Sequence, residues 1–179
     1  MGKKKRIKKI IKFVENERDR TLEEKPKLKL ELTYRWKHTL RVAQRGMKIA
    51  EQENGDVEIV VAACLLHDIA KLANRSNGVN HGRVGAKMIK SFLKKEIGYS
   101  NQKAKAIRYA IASHVDGKAG FDHPETLEAD IVNDADKLDR FSAYRMMLAL
   151  DGKIENYDKL IADARRYLKV LRRYRRRSP

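Results

Sequence analysis

The sequence predicts an all-α, single-domain helical bundle, and three observations carry that prediction. Glycine and proline are scarce, at 10 and 3 in 179 residues. Leu, Ala, Ile, Lys, Arg and Glu are abundant, a composition that favours helices. Apolar residues recur at intervals of three and four in most segments. The apolar share of 42% suits a globular chain, and this length supports one sizeable core rather than two.

Residues 3–20 place Ile7, Ile10, Ile11 and Val14 at helical spacing with lysines between them. This reads as an amphipathic helix that docks on the body or on a partner. Pro26 breaks it. Leu28, Leu30 and Leu32 alternate with Lys29 and Glu31, the pattern of a short extended segment. A second helix is expected from Thr33 to about Gln52, with Trp36, Leu40, Ala43, Met47 and Ala50 as its core stripe. Asn54-Gly55 ends it and Asp56 caps the next helix. That third helix, roughly 57–72, is apolar almost all round and therefore central, with His67 and Asp68 near its C-terminal end.

A polar loop, Asn74 to Asn80, follows. His81 to Lys95 reads as helix with Val84, Met88, Ile89 and Phe92 inward, and Ser100 caps a helix ending near His114. The stretch 115–123 is a loop, and Pro124 opens a helix whose apolar positions include Leu127, Ile131, Ala135 and Leu138. A helix holds Tyr144 to Leu150, and a last one, 156–175, ends in RRYRRR. The expectation is six to eight helices: a basic N-terminal helix and linker (1–30), a core (31–152), and a basic C-terminal helix packed on it (153–179).

The net charge of +17 is uneven. Residues 1–30 hold twelve Lys/Arg against five Asp/Glu, residues 152–179 ten against three, and residues 31–151 nineteen against sixteen. Basic ends attract RNA, another polyanion or an anionic surface. A solvated, lysine-rich surface explains the same charge. Only Tyr167 and Tyr174 accompany the C-terminal arginines, a poor base-stacking platform. The single cysteine, Cys64, lies in an apolar run and fits a small core residue in a reducing, cytoplasmic setting. Ile59 to Leu66, the longest apolar stretch, is far too short to span a bilayer. The basic N-terminus lacks the apolar segment of a signal peptide.

Chemistry concentrates in few residues. His67 and Asp68 interrupt an apolar helix, where a buried carboxylate is costly unless paired or metal-bound. Adjacent helical residues point about 100° apart, but near a helix end an imidazole and a carboxylate can approach one ion from two sides. His38 sits beside the second helix's stripe, flanking the core. VNDADKLD packs Asp134, Asp136 and Asp139 into one helix, a density that needs cations to offset it. Asp134 and Asp139 read as solvated or as lying behind the ligands. Met146-Met147 reads as core, and His123, beside Pro124, as a helix-start residue.

The order HTLRVA, LLHDIAK, HGRVGAKMI, AIASH, DADKLD resembles the HD-domain metal-dependent phosphohydrolases over roughly residues 34–145. The resemblance implies that His38, His67, Asp68 and Asp136 ligate a divalent metal (Mn, Fe, Co, Ni, Zn or Mg). It implies that Lys71 holds a phosphate oxygen. The residue types fit such chemistry: Lys71 and Arg83 are cations that can stabilise charge developing on the phosphate, and Asp68 or a nearby carboxylate can accept the water's proton. His81 and His114 match histidines that build a second metal position in two-metal members and face the substrate phosphate in one-metal members. Many two-metal members place another histidine directly after the position of His114. Here Val115 stands, which favours one firm metal. The implied activity is hydrolysis of a phosphate ester or anhydride of a nucleotide-like substrate, and some members with this pattern split dinucleoside polyphosphates. The alternatives are a phosphodiesterase or nuclease acting on RNA, and a non-catalytic, metal-stabilised nucleic-acid-binding protein. A homo-oligomer is compatible with either.

Overall fold

The computed structural model describes residues 1–115 and 125–139, together with positions 161 and 165. Among these residues the chain is helical and holds no strand. The expected loop at 115–123 (beyond Val115), the opening at Pro124, the helix at 144–150, that at 156–175 apart from positions 161 and 165, His123 and Met146-Met147 lie outside the described residues. The chain divides into two compact units, Met1–Asp136 and Lys137–Pro179.

Helix α1 spans Lys3–Glu24 and buries Ile10 and Val14 completely. It docks on the body, packing against Val57–Leu66 (α3). Phe13 stacks on Phe92 with ring centroids 3.9 Å apart. Pro26–Leu28 forms one 3₁₀ turn and α2 runs directly from it, Lys29–Gln52. The expected extended segment is therefore absent. Leu28 and Leu32, four residues apart, share a helical face, with Leu32 2% exposed, while Leu30 points to solvent at 86%.

The stripe of α2 is rotated from the expected one. Leu40 and Met47 are exposed, and the buried positions are Leu32, His38, Thr39, Val42, Ala43, Gly46 and Ala50. Gly46 explains the rotation. A Cβ built there would lie 2.6 Å from Cys64 Sγ and 3.0 Å from Val60 Cγ1. The missing side chain lets α2 and α3 approach closely along the 39–42–46 face rather than along the larger Leu40 and Met47.

Asn54, in the left-handed region at φ 57°, turns the chain into α3. The Asp56 carboxylate caps that helix, accepting from the N–H groups of Glu58 and Ile59 at 2.9 and 3.1 Å. As its all-round apolarity predicts, α3 is central, packing against α1, α2 and Asn101–Ser113 (α6). It does not run to residue 72. It stops at Leu66, turns at His67-Asp68, and restarts as α4, Ile69–Leu72. α5 spans His81–Met88, and Phe92–Glu96 continues as a π-turn. Ile89 and Phe92 are buried as expected, whereas Val84 and Met88 are half-buried. Ser100 caps α6, accepting from Lys103 N–H. α7 spans Leu127–Asp139, with Ala129, Ile131, Val132 and Ala135 fully buried.

Candidate metal centre

The break between α3 and α4 builds the site. In an unbroken helix the side chains of positions 67 and 68 would diverge. At Asp68 the backbone adopts φ −101° and ψ 17°, which bends the chain and aims its carboxylate into the same space as the His67 ring. His67 Nε2 stands 3.8 Å from Asp68 Oδ2. Both residues are buried, at 0 and 3% exposure.

Three histidines share one local device. His67 Nδ1 donates to the Cys64 carbonyl at 2.7 Å, His81 Nδ1 to that of Gly78 at 2.9 Å, and His114 Nδ1 to that of Ile111 at 2.6 Å. Each carbonyl lies three residues before its histidine. A carbonyl oxygen carries no proton, so Nδ1 must be the protonated nitrogen. In the neutral rings Nε2 then presents a bare lone pair. Burial pushes His67 down to about 4, against the pull of the Asp68 and Asp136 charges, so this ring is neutral at pH 7.

These Nε2 atoms converge with that of His38. His67 Nε2 lies 3.2 Å from His38 Nε2 and 3.7 Å from Asp136 Oδ1. His38 Nε2 lies 3.1 Å from the same Asp136 oxygen. On the other side of Asp68, His81 Nε2 approaches Oδ1 at 3.2 Å and His114 Nε2 at 3.0 Å, with 3.8 Å between His114 Nε2 and Asp68 Oδ1. Asp68 Oδ1 is buried and accepts no well-aligned hydrogen bond, although Lys71 Nζ comes within 2.9 Å. Acceptors packed this closely repel one another unless a cation stands among them.

The carboxylates are ionised. Burial would raise the Asp68 carboxyl, but His67, His114, His81 and Lys71 hold it well below its ordinary value. Asp136 is held down in the same way, against burial, by His38, His67 and His114.

The structure thus brings the candidate ligands His38, His67, Asp68 and Asp136 together with His81, His114 and Lys71. His38 comes from α2, His67 and Asp68 from the α3–α4 turn, His81 from α5, His114 from the end of α6 and Asp136 from α7. Three overlapping sets have one donor atom per residue within 4.8 Å of each other: His38–His67–Asp68, His67–His114–Asp136 and Asp68–His81–His114. The mixed imidazole and carboxylate donors fit a borderline divalent ion. Lys71 flanks Asp68 one turn into α4. Asp134 and Asp139 are buried, which excludes the solvated reading. Arg83 is exposed on α5.

One neighbour escaped the sequence reading. Arg35 Nη1 lies 3.6 Å from Asp68 Oδ2. The signal was available, because Arg35 precedes His38 by three residues and so shares its face of α2.

A family model described as the HD domain matches residues 35–140. Among curated proteins, the chain is 30% identical over 133 residues to a tRNA (cytidine(56)-2'-O)-methyltransferase of Thermoplasma volcanium, covering 68% of this chain and 36% of that protein. It is 30% identical over 101 residues to a ribonuclease Y of a Sulfurovum species, covering 56% of this chain and 17% of that one. The chain therefore spans only about a third and a sixth of these relatives. A crystal structure of a predicted HD superfamily hydrolase from an uncultured Thermotogales bacterium superposes with a TM-score of 0.63. It is 23% identical, with 95% of this chain and 89% of that one covered.

Proposed function

Because this chain belongs to the HD-domain family, we propose that it is a metal-dependent phosphohydrolase acting on a phosphate ester or anhydride of a nucleotide-like substrate. The observation that carries the reading is the set of buried histidines whose Nδ1 is occupied by a backbone carbonyl while Nε2 faces ionised carboxylates. His38, His67, Asp68 and Asp136 would hold one divalent ion, drawn from Mn, Fe, Co, Ni, Zn or Mg. Such an ion supplies a Lewis acid and lowers the pKa of the water it holds.

The chain's own groups do the rest. Lys71 and Arg35, on either side of Asp68, bind and orient phosphoryl oxygens and offset charge that grows on them. His81 and His114 face the phosphate or a weaker second ion. Asp68 or a nearby carboxylate would accept the water's proton. Val115 after His114 supports one firm metal.

Metal analysis of protein purified without chelator tests the centre. A metal-supplemented panel of nucleotides, bis(p-nitrophenyl) phosphate and short RNA tests the reaction. His67→Ala and Asp68→Ala should lose bound metal and turnover while keeping helical circular dichroism. Full turnover in either variant would sink the assignment.

A second reading, a phosphodiesterase or nuclease acting on RNA, is supported by the RNA-directed names of both curated relatives. Diester cleavage without nucleotide turnover in the same panel would select it.

A further inference from the structure

The charge balance of the middle of the chain conceals a local excess. Between Asp68 and Glu96 there is no acidic residue, while Lys71, Arg75, Arg83, Lys87, Lys90, Lys94 and Lys95 supply seven cations. Four of these converge. Lys87, Lys90, Lys94 and Lys95, with Met88 and Ser91, line an open depression of about 430 Å³ on α5 and the π-turn that follows. All four lysines are exposed, and among the described residues none makes an ion pair.

The depression is separate from the metal centre. Lys87 and Lys90 follow His81 by six and nine residues, which turns them roughly 180–240° around the helix from it. His81 faces the buried site and the lysines face solvent. The basic surface continues onto α1, where Lys9 Nζ donates to the Glu96 carbonyl at 3.2 Å beside Lys95.

We propose that this lysine-lined depression is an anchoring site for the phosphate backbone of single-stranded RNA, outside the hydrolytic centre. Uncompensated ammonium groups along one helix face suit a chain of regularly spaced phosphates, and their binding gains from released counterions. The serine hydroxyl adds a donor. An anionic membrane is the competing occupant, and burial argues against it. Ile89, Phe92 and Leu93 are 0, 6 and 0% exposed and committed to the core, which leaves half-buried Met88 as the apolar side chain lining the depression, too little to insert between lipids.

The test is fluorescence anisotropy of a labelled single-stranded RNA with the full chain across a salt series, with strand integrity checked on a gel. Vesicles of phosphatidylcholine and phosphatidylserine form a parallel arm. The Lys87→Gln/Lys90→Gln/Lys94→Gln variant should weaken RNA binding roughly 10- to 50-fold at 0.15 M salt and flatten the log–log salt slope by about 2. Lys→Arg at the same positions should keep both, which separates lost charge from lost fold. Turnover of bis(p-nitrophenyl) phosphate should not change. An unchanged slope in the Gln variant, or vesicles bound more tightly than RNA through the same lysines, would overturn the proposal. Neither result would touch the hydrolytic reading.

Discussion

At the residue scale, a single hydrogen bond decides what His67, His81 and His114 can do. With Nδ1 donating to the carbonyl three residues earlier, the ring cannot rotate and Nε2 has one direction left. His67, fully buried and pushed down to about 4, is the extreme case. The same crowding governs Gly46. A methyl group there would meet Cys64 Sγ at 2.6 Å, so α2 and α3 must separate or Cys64 must move. Gly46→Ala should destabilise the fold by about 1–3 kcal/mol. Adding Cys64→Ala should recover part of that loss, because it removes the atom the new Cβ strikes. Denaturant unfolding of both single variants and the double variant measures the coupling. Strict additivity would show that the contact with Cys64 is not the cause.

At the element scale, α3 is held by charge at one end and by the turn at the other. Glu58, in its first turn, is 5% exposed. It pairs with Arg6 of α1 at 2.5 Å and Lys103 of α6 at 2.9 Å. Burial alone would raise its carboxyl, but these two cations hold it at about 2 against an ordinary 4.5. A carboxyl lowered by folding stabilises above its unfolded pKa, and that contribution fades as pH falls from about 4.5 towards 2. The stability gap between wild type and Glu58→Gln should therefore reach up to ~3 kcal/mol near neutrality, shrink as pH falls below about 4.5 and close only as pH passes below about 2. Chemical denaturation at a series of pH values reads it, and a gap independent of pH would rule the ion pairs out as its source.

Where the sequence was legible follows the same physics. Caps and breakers are local chemistry, so Asp56, Ser100 and Pro26 mark true boundaries. Burial is not local. Trp36–Leu40–Ala43–Met47–Ala50 and Thr39–Val42–Gly46–Ala50 are both regular helical stripes, and only the close approach at Gly46 chooses between them. The turn at His67-Asp68 carries no glycine or proline, so nothing in the apolar run announced it. His38, His67, Asp68 and Asp136 could be picked out because polar groups beside or within apolar helices need a reason. Arg35 carried only its i, i+3 spacing from His38, a weaker signal, since an arginine on a helix surface needs no special reason.

At the scale of the whole molecule, the candidate centre gathers His38 to Asp136 from five helices or their ends, across almost 100 residues of chain. An unfolded chain cannot present these donors together, so a metal that binds them binds the native state and stabilises it by mass action. Free metal at about 100 times its dissociation constant adds ~2.7 kcal/mol. For a chain of this length that corresponds to a rise in Tm of roughly 5–10 °C. The close Nε2 and carboxylate contacts around His67 work in the same direction, because removing the ion leaves those acceptors facing one another. Chelator treatment should therefore lower Tm, and readdition of Mn, Co, Ni or Zn should restore it. The effect should vanish in His67→Ala, whose ring lies at the middle of the cluster, and persist in Lys71→Ala, which removes a cation beside Asp68 and no candidate metal ligand. Thermal melts monitored by circular dichroism, with metal content measured on the same samples, separate these cases. A Tm indifferent to chelator and to every metal tried would show that the histidines and carboxylates pair only with each other.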